Sequence, residues 1–487
     1  MTFARLLQKK SIDSLQEEAL SADGKEVSLK RTLGPVELTA IGVGAIVGAG
    51  IFILTGHAAA SYAGPAIVLS FLLAFVACGF AGLCYAELAS MIPISGSAYV
   101  YAYAALGELI AWIIGWDLIL EYFLGASTVA IGWSGYVVSF LSDIGIHIPK
   151  YLCGPPFTYD PAIHKWVVTG DTLNVPALFI ITAMSLVLLA GIRFSSWVNA
   201  LIVIIKVSIL LIFIAAGAFF INPSYLSPFI PPNTGEFGSF GWSGILRGAG
   251  VGFFAYIGFD TVSTAASEAR NPQRDLPIGI LCSLIICTVL YMSVSLVLTS
   301  VVHYTDLQVP APIAVAVDAM KLNFLSPFVK IGAIAGLSSV ILVLLMGQSR
   351  IFYSMSRDLL IPKAFSKVNR RFKTPHVATI VTGVFGCVAS SLLPIQIAGE
   401  MVSIGTLLAF VIVCAGVLIL RFTQPQARRT FRAPGGIVVP IGGIVFCLYL
   451  MSGLPFDTWM RLIVWLIIGL VIYFTYSIKR TWRTALQ

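Results

Sequence analysis

Lys206 stands inside the apolar run Ala200-Leu-Ile-Val-Ile-Ile-Lys206-Val-Ser-Ile-Leu-Leu-Ile-Phe213. A lysine at membrane depth costs about 2.5 to 3.5 kcal/mol on insertion scales, and ionisable groups kept at that cost mark ion or proton pathways. The competing reading is a side chain that snorkels to the interface. Lys206 lies about eight residues inside its run, ~12 Å at 1.5 Å per residue, so snorkelling would be strained. Asp117 and Glu121 are four apart in Trp112-Ile-Ile-Gly-Trp-Asp117-Leu-Ile-Leu-Glu121, on one face of a helix. Two acids invite comparison with a glycosidase pair, but no soluble cleft is evident to hold a sugar. They either hold neighbouring helices by hydrogen bonds or border a site. Asp260 closes the stretch Gly250-Val-Gly-Phe-Phe254-Ala-Tyr-Ile257-Gly-Phe-Asp260, where an acid can meet freed backbone amides or line a pocket.

The backbone around these residues is as informative as the side chains. Ile41-Gly-Val-Gly-Ala-Ile46-Val-Gly48-Ala49-Gly50-Ile-Phe52 holds four glycines in nine residues, each costing a helix up to about 1 kcal/mol. The spacing is GxGxxxG without a βαβ pattern, so the dinucleotide fingerprint is not met. Gly44 and Gly48 could instead form a close-packing GxxxG face. The glycine and aromatic stretch ending at Asp260 follows roughly 210 residues later. Interrupted spans at corresponding places in two halves point to a transporter with inverted repeats and a site at the membrane midplane. Unwound helices expose amides for a carboxylate and carbonyls for an ammonium. A zwitterion can use both.

The elements that must position these groups are membrane helices. Of the 487 residues 58% are hydrophobic and 11% charged, with mean hydropathy +0.93. Twelve apolar runs begin near Val36, Ala66, Glu108, Leu173, Val198, Gly244, Pro277, Pro327, His376, Glu400, Val438 and Trp459. With both ends on one side, 23 Lys and Arg fall on that side and six on the other, leaving Lys206 within a span. By the positive-inside rule that side is the cytoplasm. The net charge of +8 thus reports topology, and no nucleic-acid footprint is expected. The first 34 residues read as a soluble tail rather than a cleaved signal peptide. Neither the eight cysteines nor the five histidines show metal spacing. His303, Asp306 and Asp318 fall in an outer loop and read as solvated.

The motifs together resemble the cationic amino-acid transporter branch of the amino acid, polyamine and organocation (APC) superfamily, in its bacterial members. They are Gly44-Ala-Ile-Val-Gly-Ala-Gly-Ile-Phe52, Pro93-Ile-Ser-Gly-Ser-Ala-Tyr-Val-Tyr101, Gly115-Trp-Asp-Leu-Ile-Leu-Glu121, Phe253-Phe-Ala-Tyr-Ile-Gly-Phe-Asp260 and Glu268-Ala-Arg-Asn-Pro-Gln-Arg-Asp-Leu-Pro277, and the likeness runs from about residue 30 to 480. It implies the LeuT-type all-α membrane fold, two inverted five-helix repeats plus two helices. On this division residues 1–34 are a cytoplasmic tail, 35–221 the first repeat, 222–421 the second, 422–480 the added pair and 481–487 a cytoplasmic tail. The resemblance implies that Ile46, Gly48, Ala49 and Gly50 meet the substrate's amine and carboxylate. It gives Phe254 and Ile257 carbonyls for the amine, sets Glu121 beside the pocket and puts Leu344 at the side-chain end. Lys206 matches a lysine that takes the place of a sodium ion and couples proton movement to transport. Relatives often carry Thr where this chain has Ala49, and a bulky Leu344 shortens the pocket, favouring small or medium neutral substrates over arginine.

The sequence therefore predicts a secondary transporter, not an enzyme, in the inner membrane. It would use no cofactor or metal and would carry an L-amino acid such as alanine with protons, by alternating access among membrane lipids. The resemblance to the cationic branch keeps cationic amino acids in view. An amino-acid or polyamine exchanger of the same fold is the alternative. A channel or sensor is disfavoured by the lack of a continuous polar stripe and of a sizeable soluble region.

Overall fold

The computed structural model describes residues 9, 33–92, 97–160, 165–191, 196–264, 269–322, 324–369, 374–427, 429–478 and 480. Most of the 1–34 tail, Pro93–Gly96, Glu268 and residues 481–487 lie outside them. The described chain is predominantly helical. Six helical stretches are long and apolar enough to cross a membrane: 50–91, Glu108–Asp143, Pro272–Val301, Leu325–Arg357, Ile395–Thr423 and Phe456–Ser477. Five shorter apolar helices accompany them: Pro35–Ile46, Val175–Leu189, Leu201–Gly217, His376–Leu392 and Val438–Gly453.

α1 spans Pro35–Ile46. Proline at its first position needs no amide partner there, and the Glu37 carboxylate accepts a hydrogen bond from the Gly34 amide at 2.9 Å. The helix stops at Val47, which turns extended (ψ 94°). It restarts as α2, residues 50–63, of which Gly50–Leu54 and Ala59–Ala63 are π-helical. α3 (Ile67–Met91), α4 (Ser97–Leu106) and α5 (Glu108–Asp143) follow, and then α6 (Val175–Leu189) and α7 (Ser196–Gly217). The Asn174 side chain caps α6 by accepting from the Ala177 amide at 3.1 Å.

The second interruption lies in the next helix. α8 (Gly241–Gly252) tightens into a 3-10 turn at Phe253–Tyr256, and Ile257 is extended (ψ 134°). Gly258 takes φ 120°, open only to glycine, and α9 resumes at Thr261–Thr264. Beyond it come α10 (Pro272–Val301), the short α11 (Pro312–Ala319), α12 (Leu325–Arg357), α13 (His376–Leu392), α14 (Ile395–Thr423), α15 (Val438–Gly453) and α16 (Phe456–Ile472). α5 packs along α12 and α14, while α10 packs along α1 and α3. Between α5 and α6 the structure places a two-stranded antiparallel hairpin, β1 (Phe157–Asp160) and β2 (Lys165–Val168). Its four-residue strands are too short to stand out against the flanking apolar runs. The hairpin end is called the outer end below, following the charge distribution.

The two interruptions cross each other. A Cβ on Gly50 would collide with the backbone of Ala255, so only glycine lets the restart of α2 approach the turn after α8. At the other end of the bundle a charged knot ties α3 to α14. Glu87 is buried and accepts from the Arg421 guanidinium and from the Ala433 amide at 2.9 Å, and Arg429 lies 3.3 Å from it. On the bundle's perimeter Ile463, Val464, Ile467 and Val471 of α16 are about half exposed, a face suited to lipid.

Two variants test this packing. Gly50→Ala forces the interruptions apart, at a cost of about 1 to 3 kcal/mol or more for overpacking. Gly48→Ala meets only the flexible Val340 side chain at 3.2 Å and is expected to be milder. Glu87→Ala strands two guanidinium groups and is expected to cost about 3 to 5 kcal/mol. Thermal unfolding of the purified protein in detergent ranks all three. A Gly50→Ala protein as stable as the parent would contradict the close crossing.

Candidate functional site

A cavity lies where the two interruptions meet α5 and α12. The first interruption gives it Ala45, Ile46, Gly48, Ala49 and Gly50; the second gives Phe254, Ile257 and Gly258. Gly125 and Val129 of α5, with Val340, Val343 and Leu344 of α12, complete the wall. Ala45 and Val343 are half-buried and the others buried. No charged side chain is among the lining residues. Its polarity therefore comes from the backbone.

That backbone polarity is directional. α1 ends at the cavity, so its last carbonyls form a negative pole; α2 begins there, so its first amides form a positive one. Part of the negative pole is already occupied. Lys206 on α7 is fully buried, and its ammonium donates to the Gly44 carbonyl and to the Val47 carbonyl, the latter at 2.8 Å. Gly336 of α12 backs its aliphatic stem. The Tyr291 hydroxyl of α10 lies 2.8 Å from the Ile46 carbonyl and 2.9 Å from that of Ala255. With a single proton to donate, it serves both interruptions in turn. The Phe254 carbonyl accepts from the Ile257 amide at 3.2 Å, with a second lone pair remaining. The amide pole at Gly48–Gly50 carries no side chain larger than the Ala49 methyl.

Of the nine residues expected to bind substrate, seven line this cavity: Ile46, Gly48, Ala49, Gly50, Phe254, Ile257 and Leu344. Glu121 and Asp260 are not among its lining residues. Both are buried next to it, where the Tyr122 hydroxyl donates to Asp260 Oδ2 at 3.1 Å and the Thr406 hydroxyl meets Glu121. For Glu121 the reason is depth along α5. Gly125 and Val129 stand one and two turns beyond Glu121 on the same face, and they reach the cavity while Glu121 stays a turn below it. Asp117, another turn down, is buried with neither carboxyl oxygen hydrogen-bonded. Asp318 is exposed and also accepts from the Ser326 hydroxyl at 2.7 Å.

Sequence reasoning missed Ala45, Gly125, Val129, Gly258, Val340 and Val343. Spacing could have found three of them: Gly125 and Val129 at four and eight residues from Glu121, and Val340 four before Leu344.

Above the cavity the outer end is closed by side chains from four helices. The Phe240 amide donates to the Tyr62 carbonyl at 2.8 Å. The Tyr62 hydroxyl points to Glu400 Oε1 of α14 at 3.5 Å, and the Arg247 guanidinium of α8 sits 5.8 Å over its ring. Thr458 of α16 donates to Glu400 Oε2 at 2.7 Å.

Known proteins can now be set beside this geometry. Residues 33–474 match the amino acid permease family. The chain is 45% identical over 477 residues to the branched-chain amino acid permease BcaP of Bacillus subtilis (strain 168), covering 98% of each. It is 41% identical to the methylthioribose transporter of the same organism, over 95% of this chain and 97% of that one. A vacuolar cationic amino acid transporter 4 of Arabidopsis thaliana shares 38% identity over 86% of this chain and 68% of its own length. Backbone poles at the cavity, lipid-suited perimeter and these likenesses agree: the chain is a multi-pass membrane transporter, not an enzyme, and belongs to the amino acid permease family of the APC superfamily.

Proposed function

We propose that the chain is a proton-coupled symporter of small and medium aliphatic amino acids, branched-chain ones included, working by alternating access. The observation that carries this is the convergence of two interrupted helices on an apolar-walled cavity whose polar groups come from the backbone. On this reading the substrate carboxylate takes the Gly48–Gly50 amides and the ammonium takes carbonyls of Ile46, Phe254 and Ile257. The aliphatic side chain lies between Gly125, Val129, Val340 and Leu344. Glu121 and Asp260 act on the site from behind its wall.

A cationic side chain would meet no counter-charge among the lining residues, and burying an unpaired charge is costly. The apolar wall thus narrows the substrate expected from sequence toward neutral side chains, in keeping with the names of the permeases at 45% and, from Lactococcus lactis, 34% identity. Lys206 is proposed to couple transport to protons. While charged it bridges the carbonyls of α1; neutral, it releases them and α1 is free to move. The proposed setting is a LeuT-type fold of twelve spans in the inner membrane, with both termini cytoplasmic, residues 35–221 and 222–421 as inverted repeats and residues 422–480 as the added pair. The transporter of methylthioribose at 41% identity favours a second reading, a neutral sugar thioether held by the same apolar wall.

Proteoliposome uptake of labelled leucine, isoleucine, valine and alanine, with and without an inward proton gradient, tests the proposal. Gradient-driven accumulation is expected, with arginine failing to compete. Uptake that needs only internal amino acid and ignores the gradient would show an exchanger; competition by methylthioribose but by no amino acid would favour the second reading. Lys206→Ala is expected to keep substrate-induced thermal stabilisation and to lose gradient-driven uptake. Gly125→Ala sets a methyl 3.5 Å from Leu344 Cδ1. It should weaken leucine relative to alanine by roughly tenfold or more, the scale of one methyl group in a tight pocket, measured as the ratio of their half-saturating concentrations.

A further inference from the structure

The outer hairpin has two unlike faces. Register pairs Phe157 with Val168 and Tyr159 with Trp166, and Thr158 with Val167 between them. Side chains alternate along a strand and cross-strand partners share a side. Phe157, Tyr159, Trp166 and Val168 therefore form one face, with Thr158 and Val167 on the other. Tyr159 fixes where the first face looks. Its hydroxyl donates to Asp457 at 2.7 Å, and the Arg461 guanidinium lies 5.4 Å over its ring; both partners belong to the outer end of α16. Trp166 meets Tyr159 edge to face at 5.8 Å.

Contact with α16 does not cover this face. Phe157 is 50% exposed, Trp166 54% and Val168 70%, although they share the side of Tyr159 that turns to the bundle. Phe456, at the start of α16, is 76% exposed. Farther along α16, Ile463, Val464 and Ile467 form part of the lipid-suited perimeter. The aromatic face of the hairpin is thus continuous, through Asp457 and Arg461, with the lipid-suited surface of α16. Tyrosine and tryptophan collect where bilayer meets water, since their rings prefer an apolar bed and their polar atoms a wet one.

We propose that the hairpin is an interfacial anchor. It lies on the outer bilayer surface with Phe157, Trp166 and Val168 among the lipid headgroups and Thr158 and Val167 toward water. Its partner is the lipid interface, not another protein. The anchor holds the outer end of α16 through Tyr159, and α16 in turn holds Glu400 of the outer closure through Thr458.

Depth-dependent spin-label accessibility tests it in proteoliposomes of the whole chain, with the half-buried Cys153, Cys282 and Cys387 replaced by serine. Nitroxides are placed on Phe157→Cys, Val168→Cys, Thr158→Cys and Val167→Cys. Labels at 157 and 168 are expected to meet oxygen, which partitions into lipid, more readily than a water-soluble nickel chelate. Labels at 158 and 167 are expected to show the reverse. Nickel access equal at all four sites would put the hairpin in water. Labels at 157 and 168 shielded from both reagents would show a protein covering the face. Either result overturns the proposal. A second measurement needs no label: brominated lipids should quench tryptophan emission of the parent more than that of Trp166→Phe, and equal quenching would count against the anchor.

Discussion

In hydrocarbon every backbone polar group must find a partner within the protein, and this fold depends on how it meets that demand at two places where its helices stop. A continuous helix satisfies its own ladder, so an interruption is tolerated only inside protein or beside a cavity. α1 and α8 both stop near the middle of the bundle, and the carbonyls they free are met by side chains from elsewhere. Lys206 takes Gly44 and Val47; Tyr291 takes Ile46 and Ala255. These two residues come from α7 and α10, so both interruptions are held by parts of the bundle that are not themselves broken. Glycine at 50 and at 258 makes this possible, one by letting backbones touch and the other by adopting φ 120°.

The distribution of charge follows from the same constraint. Backbone poles are weak, fixed partial charges, and a carboxylate at the cavity wall would compete with them for any bound ion. Glu121 and Asp260 are instead a step behind the wall, each given a hydroxyl by Thr406 and Tyr122. Charges that do pair fully are at the ends of the bundle: Glu87 with Arg421 at one, and Lys330 with Asp143 at 2.6 Å at the other. The cavity wall itself is left with dipoles.

Much of this was legible in the sequence. Four glycines in nine residues and a second glycine and aromatic stretch located both interruptions, because helix propensity there is poor on its own account. Lys206 was conspicuous because its apolar run holds no other charge. Glu121 and Asp260 stood out because composition marks which residues are unusual, while depth along the helix decides which of them reach the cavity. One turn of α5 separates Glu121 from Gly125 on the same face, and nothing in the residue types distinguishes those depths. The apolar wall was hidden for a related reason, since Val129, Val340 and Val343 look like any other membrane valine. The hairpin was hidden by brevity.

The wall and the poles together constrain what can be held, on the reading proposed here. A ligand carrying opposite charges close together at one end can satisfy both poles and leave its remainder to apolar contact. A ligand with a further charge at its far end would place it between Gly125 and Leu344, where burial removes water and offers no partner. Leu344 and the bare Gly125 face each other there, so the space is set by one side chain and by the absence of another. Discrimination by such a wall is asymmetric: it rejects charge strongly and resolves neighbouring aliphatic side chains weakly, by about 1 to 3 kcal/mol per methylene. A cavity of this kind accepts a class of aliphatic ligands rather than a single one, which is what a wall without hydrogen-bonding side chains must do.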